Sequence, residues 1–205
     1  MRIEYCDILR DLHIALDEVT GSDAKEDDFA TDTDTELRQA VKSAIEQLLG
    51  EVPDDLIDLA EGNSQLVTFN GSDNSCSIPL PTDYMRFSSL QFASWKGALH
   101  ELTAPSSDKA KMQRCKWTRG SIDKPVAILS TSGGNKVLLV YTVADEDDAL
   151  SHFSYVPKPD YQNAYVTCAL HDEVYKVIVY RAAAIFLDTH REEAAAKYYE
   201  LSKVV

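Results

Sequence analysis

Apolar residues at both ends of the chain recur at the three- and four-residue spacing that is typical of amphipathic helices. This spacing predicts helices over residues 2–19 and 35–49, followed by a short third helix over residues 53–62 that opens at a proline. Near the other end it predicts a long apolar helix over residues 165–187. A second helix or a bent extension of the first is predicted over residues 191–205.

The pattern changes between residues 65 and 155, where short apolar runs alternate with turn residues. Gly133-Gly134-Asn135 lies between two such runs and predicts a β-hairpin. Residues 104–116 are polar and basic, and they are compatible with a loop or with a helix that begins after Pro105.

This order of elements predicts an α+β fold. We expect a helical domain built from residues 1–63 and 160–205, in which the N-terminal and C-terminal helices form a bundle. Residues 64–159 are expected to form a β-rich insertion, an antiparallel sheet or a barrel-like arrangement. The absence of alternating strand–helix units from the pattern argues against a doubly wound nucleotide-binding sheet.

Charge is unevenly distributed along the 205 residues, which carry 34 acidic and 20 basic side chains and a net charge of −14. Residues 1–61 hold 18 acidic and 5 basic residues, and residues 21–34 are predicted to be an acidic loop. Such a chain is a poor candidate for wrapping duplex DNA, because that mode of binding neutralises phosphates with basic residues. The acidic first third of the chain, residues 1–61, is either a solvated helical surface or a surface that faces a partner or a lumen.

The sequence assigns no catalytic residue, metal ligand or cofactor. It contains none of the nucleotide-binding, metalloprotease or nucleophile-elbow motifs. Its four cysteines are far apart and are expected to be free thiols. The acidic residues 145–148 and the alternating residues 31–36 lack the register that converges oxygens on a cation. A divalent-metal-dependent hydrolase or nuclease, using carboxylates of these loops, stays open as an alternative. No apolar run reaches the roughly 20 residues of a membrane span, and no membrane partner is expected.

One basic segment stands out at residues 109–124, where a tryptophan lies among basic side chains. It is a solvated loop, a protein interface that pairs with an acidic surface, or a nucleic-acid contact. Its candidate interface residues are Lys109, Lys111, Arg114, Lys116, Trp117 and Arg119.

Residues 78–92 read IPLPTDYMRFSSLQF and contain an LPxDYxR element that leads into a predicted strand. This element resembles the head-to-tail connector (adaptor) proteins of short-tailed bacteriophages, of the tail tubular protein A type. A Tyr-Val-Pro-Lys-Pro segment at 155–159, a long apolar helix after it and an Ala-rich end extend the resemblance to about residues 35–200. A crAss-like phage is the suggested source.

The LPxDYxR element contributes four further candidate interface residues, Pro81, Asp83, Tyr84 and Arg86. The same residues are also compatible with a purely structural turn. In that interpretation the proline fixes the backbone, the aspartate bonds its own turn and the tyrosine packs the loop.

The resemblance implies a non-enzymatic virion protein that is made in the host cytoplasm. It implies a ring of identical subunits, with twelve as the expected number, docked beneath the portal protein at the portal vertex. The other face would meet the next ring or tail protein, and genomic DNA would pass through the channel without sequence-specific binding. The acidic helical segments would face the lumen or the portal, and the basic segment would form a seam between subunits. Another phage collar or tail-completion protein, or a module that regulates a host complex, is the alternative.

Overall fold

A computed structural model describes residues 1–20, 32–63, 67–70, 74–113, 115, 117–144, 146–190 and 192–203. The chain divides into two compact units. The helical unit consists of Met1–Asp58 and Lys158–Val205, and the β-rich unit consists of Leu59–Pro157. The predicted acidic loop over residues 21–34 lies mostly outside the described residues, and its last three residues belong to a helix.

Helices dominate the first unit. In chain order the described helices are α1 (Tyr5–Thr20), α2 (Asp32–Glu51), α3 (Asp108–Met112), α4 (Tyr175–His190) and α5 (Glu192–Leu201). All except α3 belong to the helical unit, where α4 packs against α1, α2 and α5. Many of the apolar positions that predicted these helices are fully buried, among them Ile8, Leu12, Leu37, Ile45, Leu48 and Ile178. The predicted helical bundle is therefore confirmed.

Strands form three antiparallel sheets in the described part of the chain. They are β1 (Arg2–Glu4), β2 (Ala60–Glu61), β3 (Thr68–Asn70), β4 (Ser75–Pro79), β5 (Tyr84–Phe92), β6 (Ala127–Ser132), β7 (Asn135–Val140), β8 (Leu150–Pro157), β9 (Asp160–Tyr161) and β10 (Tyr165–Thr167). The strand orders are β1-β10-β9 in the helical unit, and β2-β8-β5 and β3-β4-β7-β6 in the β-rich unit. The hairpin predicted at Gly133-Gly134 joins β6 to β7, and both glycines adopt the positive φ that this turn requires.

The two sheets of the β-rich unit share one apolar core. Ile78 of β4, Leu90 and Phe92 of β5, Leu138 of β7 and Phe153 of β8 are all buried in it. Each sheet has a linear strand order, so neither closes into a barrel within the described residues. The α+β class and the antiparallel pairing are confirmed, with two open sheets.

Three local predictions were wrong, because long-range strand pairing overrides a helical pattern. The predicted third helix over 53–62 is a single 3-10 turn at Asp54–Leu56, after which Ala60 and Glu61 pair with β8. The helix predicted from residue 165 begins at Tyr175, since residues 165–167 form β10 and pair with β1. Residues 2–4, predicted as helix, are that partner strand. Buried Ile3 and Val166 lie opposite each other, but each strand is too short for its alternation to be visible in the sequence.

Candidate protein interface

The basic segment begins with a short helix that its own residues cap. Ser107 precedes α3, and its hydroxyl oxygen accepts a hydrogen bond from the backbone N–H of Ala110 at 3.2 Å. The buried Ala110 packs against Val126 and Ile128, which fixes α3 on the β-rich unit. Lys111 pairs with Asp108 one turn away at 2.9 Å, and both side chains are exposed.

A buried glutamine organises the residues that follow α3. Gln113 is only 3% exposed, its side-chain N–H donates to the carbonyl of Lys109 at 2.8 Å, and its side-chain oxygen accepts from the N–H of Gly120 at 2.8 Å. The Thr118 hydroxyl closes a second link by donating to the carbonyl of Met112 at 2.9 Å. These bonds satisfy polar groups that would otherwise be left unpaired, and they anchor Gln113, Thr118 and Gly120. Residues 112–122 are called the Trp117 loop below.

Gly120 is required by this packing. A Cβ built on it would lie 2.7 Å from the carbonyl oxygen of Lys124 and 2.9 Å from a methyl group of Val126. The first contact is with backbone, which cannot rotate away as a side chain would. The loop is therefore held at one end by Gln113 and at the other by the close approach of Gly120.

The loop exposes large apolar side chains. Trp117 is 90% exposed, Met112 52% and Ile122 41%. These are three of the six large apolar residues that are exposed in the described part of the chain. The other tryptophan, Trp95, is buried and donates its indole N–H to the carbonyl of Thr142 at 2.7 Å. Tryptophan and arginine are enriched at the energetic centres of protein interfaces, whereas lysine is depleted there.

The exposed Trp117 lies in a basic part of the sequence. Residues 104–126 hold six basic and two acidic side chains. Lys109 lies on α3 beside Lys111, and Arg119 is half-buried at the base of the loop. Arg114 and Lys116, which the sequence also proposed, lie outside the described residues. The pKa of the exposed Cys115 thiol is lowered by hydrogen bonds from the Trp117 backbone and from Thr118.

The second group of predicted interface residues forms a supporting turn at the start of β5. The backbone N–H of Tyr84 donates to the carbonyl of Pro81 at 3.1 Å, and the Asp83 carboxylate accepts from the Tyr155 hydroxyl at 3.1 and 3.3 Å. Tyr84 is 7% exposed, with its ring 5.9 Å from the ring of Tyr155. Arg86 pairs with Val156 across β5 and β8. The structure thus brings Asp83 and Tyr84 together on Tyr155, a partner that sequence reasoning noted only as part of the Tyr-Val-Pro-Lys-Pro segment.

Asp148, the last residue of the acidic run at residues 145–148, joins two backbone segments. Asp148 accepts hydrogen bonds from the Ser94 backbone at 3.0 Å, from the Ser94 hydroxyl at 2.5 Å and from the Ala144 backbone at 3.2 Å. Burial, together with the Asp148 charge, raises the pKa of the Cys76 thiol to about 12. Within the described ranges no group of three or more His, Cys, Asp or Glu side chains is placed to share a metal ion.

The helical unit carries almost all of the excess charge. It holds 24 acidic and 11 basic residues, a net charge of −13, whereas the β-rich unit holds 10 acidic and 9 basic residues. A groove of about 210 Å³ lies on this unit between α1 and α4. Ile14, which is 54% exposed, lines it together with the buried Ala15 and Val179.

No protein-family model matches the chain, and a comparison with curated proteins finds no significant match. Each helix that the structure describes is too short or too polar to cross a bilayer.

Proposed function

We propose that this chain is a structural subunit of a phage virion that assembles with copies of itself into a ring connector between the portal and the tail. The observation that carries this proposal is the Trp117 loop. Hydrogen bonds anchor Gln113 to Lys109 and Gly120, yet Trp117 between them is 90% exposed. Burying an aromatic side chain against a partner recovers roughly 2 to 3 kcal/mol of hydrophobic free energy, so the loop is suited to a permanent protein contact.

The charge distribution supports a channel. With −13 on the helical unit, a ring of copies concentrates acidic side chains wherever these units face one another around the hole. An acidic wall repels the phosphate backbone, which lets DNA pass without being retained. A DNA-binding wall would instead need basic side chains on that unit.

The LPxDYxR element supports the placement in the phage connector family and serves the fold. Asp83 and Tyr84 fasten the start of β5 to Tyr155 of β8, which stabilises the sheet of the β-rich unit. In this proposal the element therefore maintains the shape of the subunit, and the Trp117 loop makes the contact between subunits. The partners on either side of the ring are the portal protein and the next ring or tail protein.

Electron microscopy of the purified full-length chain tests the proposal. We expect closed rings with a central hole, with twelve subunits as the predicted number. Association that requires two exposed surfaces to meet is concentration-dependent, so the grids are prepared over a wide range of protein concentration. A field that contains only compact single-chain particles at every concentration contradicts the proposal.

Reversing the charge of the basic segment is expected to weaken ring assembly. In the triple variant Lys111→Glu, Arg114→Glu and Lys116→Glu, attraction to the acidic unit of a neighbour becomes repulsion. Exposed charge pairs contribute about 0.2 to 1 kcal/mol each, so three reversals should lower the association constant about tenfold or more, and the loss should shrink in high salt. Sedimentation velocity in low and high salt measures this effect.

A matched control carries three reversals at exposed lysines elsewhere, Lys136→Glu, Lys197→Glu and Lys203→Glu. This control changes the net charge by the same amount and should assemble more nearly like the wild type. Equal loss of assembly in the two triple variants would show that net charge alone matters, and would exclude a specific role for the basic segment.

A further inference from the structure

We propose that Trp117 of one copy inserts into the groove between α1 and α4 of the next copy, so that the ring is held by a head-to-tail contact between two different surfaces. This inference rests on the proposed function, because it names the two surfaces that a ring of identical chains would bring together. The occupant of the groove is therefore a second copy of this chain.

Trp117 lies in the chain between two residues that hydrogen bonds anchor. Gln113 bonds Lys109 and Gly120, Thr118 bonds Met112, and Met112 and Ile122 are further exposed apolar residues. A preorganised loop loses little conformational entropy on binding, which leaves more of the burial free energy for affinity. Two-torsion aromatic side chains such as tryptophan also lose little rotamer entropy.

The receiving groove has the size and lining for an indole. Its volume is about 210 Å³, and an apolar cavity of about 150 Å³ is known to hold a benzene ring. Ile14, Ala15 and Val179 supply apolar walls, and the rings of Tyr175 and Tyr180 line the remainder. Ile14 is a large apolar residue of α1 that is 54% exposed, and an inserted indole would cover it.

A polar acceptor lies at the edge of this groove. The Asp11 carboxylate accepts a hydrogen bond from the Tyr175 hydroxyl at 2.8 Å and lies 3.6 Å from the Arg10 guanidinium. A carboxylate has about four acceptor positions, so Asp11 can also accept the N–H of an entering indole. Lys176 lines the same groove, and its ammonium group is repelled by the incoming basic loop unless it turns aside.

Charge complementarity identifies the partner. Residues 104–126 carry six basic against two acidic residues, and the groove belongs to the unit that carries −13. A positive surface that meets a negative one speeds association and fixes its register. The two surfaces differ, so the contact is heterologous, and repeated heterologous contacts close into a ring when the rotation per subunit allows it.

A complementation experiment tests this pairing. One variant, Ile14→Arg, blocks the groove and keeps the loop. The other, Trp117→Ala, removes the projecting side chain and keeps the groove. Both residues are exposed, so each variant should unfold at the temperature of the wild type, which circular dichroism checks. Each variant alone should show an association constant reduced about 30-fold or more, as for a central aromatic contact.

Mixing the two variants should restore one contact. The intact loop of Ile14→Arg fits the intact groove of Trp117→Ala, and the pair then has no further working surface. Native mass spectrometry of the mixture should therefore show a two-chain species of about 46 kDa, twice the 22.8 kDa of the chain. Acrylamide quenching gives a second readout, because Trp95 is buried and the quenchable emission comes from Trp117. This quenching should fall in the mixture.

The outcomes separate this inference from the proposed function. If the wild type forms rings and both single variants also do, the groove contact is wrong and the ring proposal stands. If only Trp117→Ala fails to assemble, the loops pair with one another or with another surface. That result also overturns the proposed contact between Trp117 and the groove. Two non-assembling variants that give no two-chain species when mixed exclude the head-to-tail pairing. A wild type that stays a single chain at every concentration overturns both proposals.

Discussion

Replacing Gly62 by alanine is expected to lower the free energy of unfolding of the β-rich unit by about 3 kcal/mol, at the upper end of the cost of overpacking. A Cβ at this position would lie 1.9 Å from Cδ1 and 2.4 Å from Cε1 of the Phe153 ring. That ring is 3% exposed and packs against Tyr155 and Phe87, with centroids 5.8 and 6.5 Å away. It cannot move aside without disturbing the core.

The collision could also be relieved by a shift of residue 62 itself, but backbone hydrogen bonding prevents that shift. The N–H of Gly62 donates to the carbonyl of Phe153 at 2.9 Å, directly after the two-residue strand β2. Moving the backbone away would break this bond and weaken the pairing of β2 with β8. Urea denaturation followed by circular dichroism measures the loss of stability.

Gly97→Ala is the matched control, because a Cβ there meets nothing within 4 Å. Its free energy of unfolding should stay within about 0.5 kcal/mol of the wild type. Adding Phe153→Leu to Gly62→Ala should recover part of the loss, since the double change removes the ring atoms that collide. Equal effects of the two glycine substitutions, or no recovery in the double variant, would contradict the packing described for β2 and β8.

The second large effect is expected at Arg181, whose replacement by alanine should destabilise the helical unit by about 3 kcal/mol. Arg181 lies on α4, is 8% exposed, and joins three helices through its guanidinium group. It donates to Ser202 at 2.9 Å, to Gln47 at 3.3 Å and to both carboxylate oxygens of Glu51 at 3.2 and 3.0 Å. Hydrogen bonds that involve a charged group contribute about 1.5 to 3 kcal/mol, and the truncation also leaves a cavity.

The bidentate geometry makes a specific prediction for the conservative change. Arg181→Lys keeps the charge but replaces the planar fork by a single ammonium group, so it should recover only part of the stability. Arg10→Ala is the matched control, since Arg10 is 65% exposed and its pairs with Asp7 and Asp11 measure 3.3 and 3.6 Å. That control should cost less than about 1 kcal/mol.

Thermal unfolding, followed by the circular dichroism signal of the helices, compares these three variants. The predicted order of midpoints is Arg10→Ala above Arg181→Lys, with Arg181→Ala lowest. If Arg181→Ala unfolds at the same temperature as Arg10→Ala, the buried guanidinium does not stabilise the junction of α2, α4 and α5. If Arg181→Lys is as stable as the wild type, the hydrogen bonds of Arg181 to both carboxylate oxygens of Glu51 do not stabilise the protein.

The helical bundle was predictable because long helices repeat their apolar pattern several times. Ile8, Leu12, Leu37 and Ile45 lie at spacings that the sequence shows directly, and all are buried. The hairpin at Gly133-Gly134 was predictable for a different reason, since few residues tolerate its backbone angles. The α+β class follows from these local signals.

The small sheet of the helical unit could not be predicted in this way. β1 and β10 have three residues each, so neither strand shows a periodic pattern. They are separated by about 160 positions, so no local turn links them. The same reason explains the missing third helix. Ile57 forms a bridge with Leu170, and the backbone N–H of Asp58 donates to Ala169 at 2.7 Å. These partners are distant in sequence and outweigh a weak local helix preference.

The composition of the candidate interface could be predicted from the sequence, but the contacts that shape it could not. The basic residues near Trp117 are visible in the sequence, and the structure adds that Trp117, Met112 and Ile122 are exposed. The role of Gln113 had no sequence signal, since a glutamine in a polar stretch usually lies in solvent. The tight fit of Gly120 likewise depends on Lys124 and Val126, which only the folded loop brings close.

The central claim is that this chain acts as a repeated structural subunit, and the mass of the purified wild-type assembly tests it most directly. Native mass spectrometry over a hundredfold range of protein concentration should show a discrete closed oligomer, at about 270 kDa for twelve chains of 22.8 kDa. Trp117→Ala, measured beside it, should shift the population toward single chains. A wild type that remains at the mass of one chain throughout that range would contradict the claim.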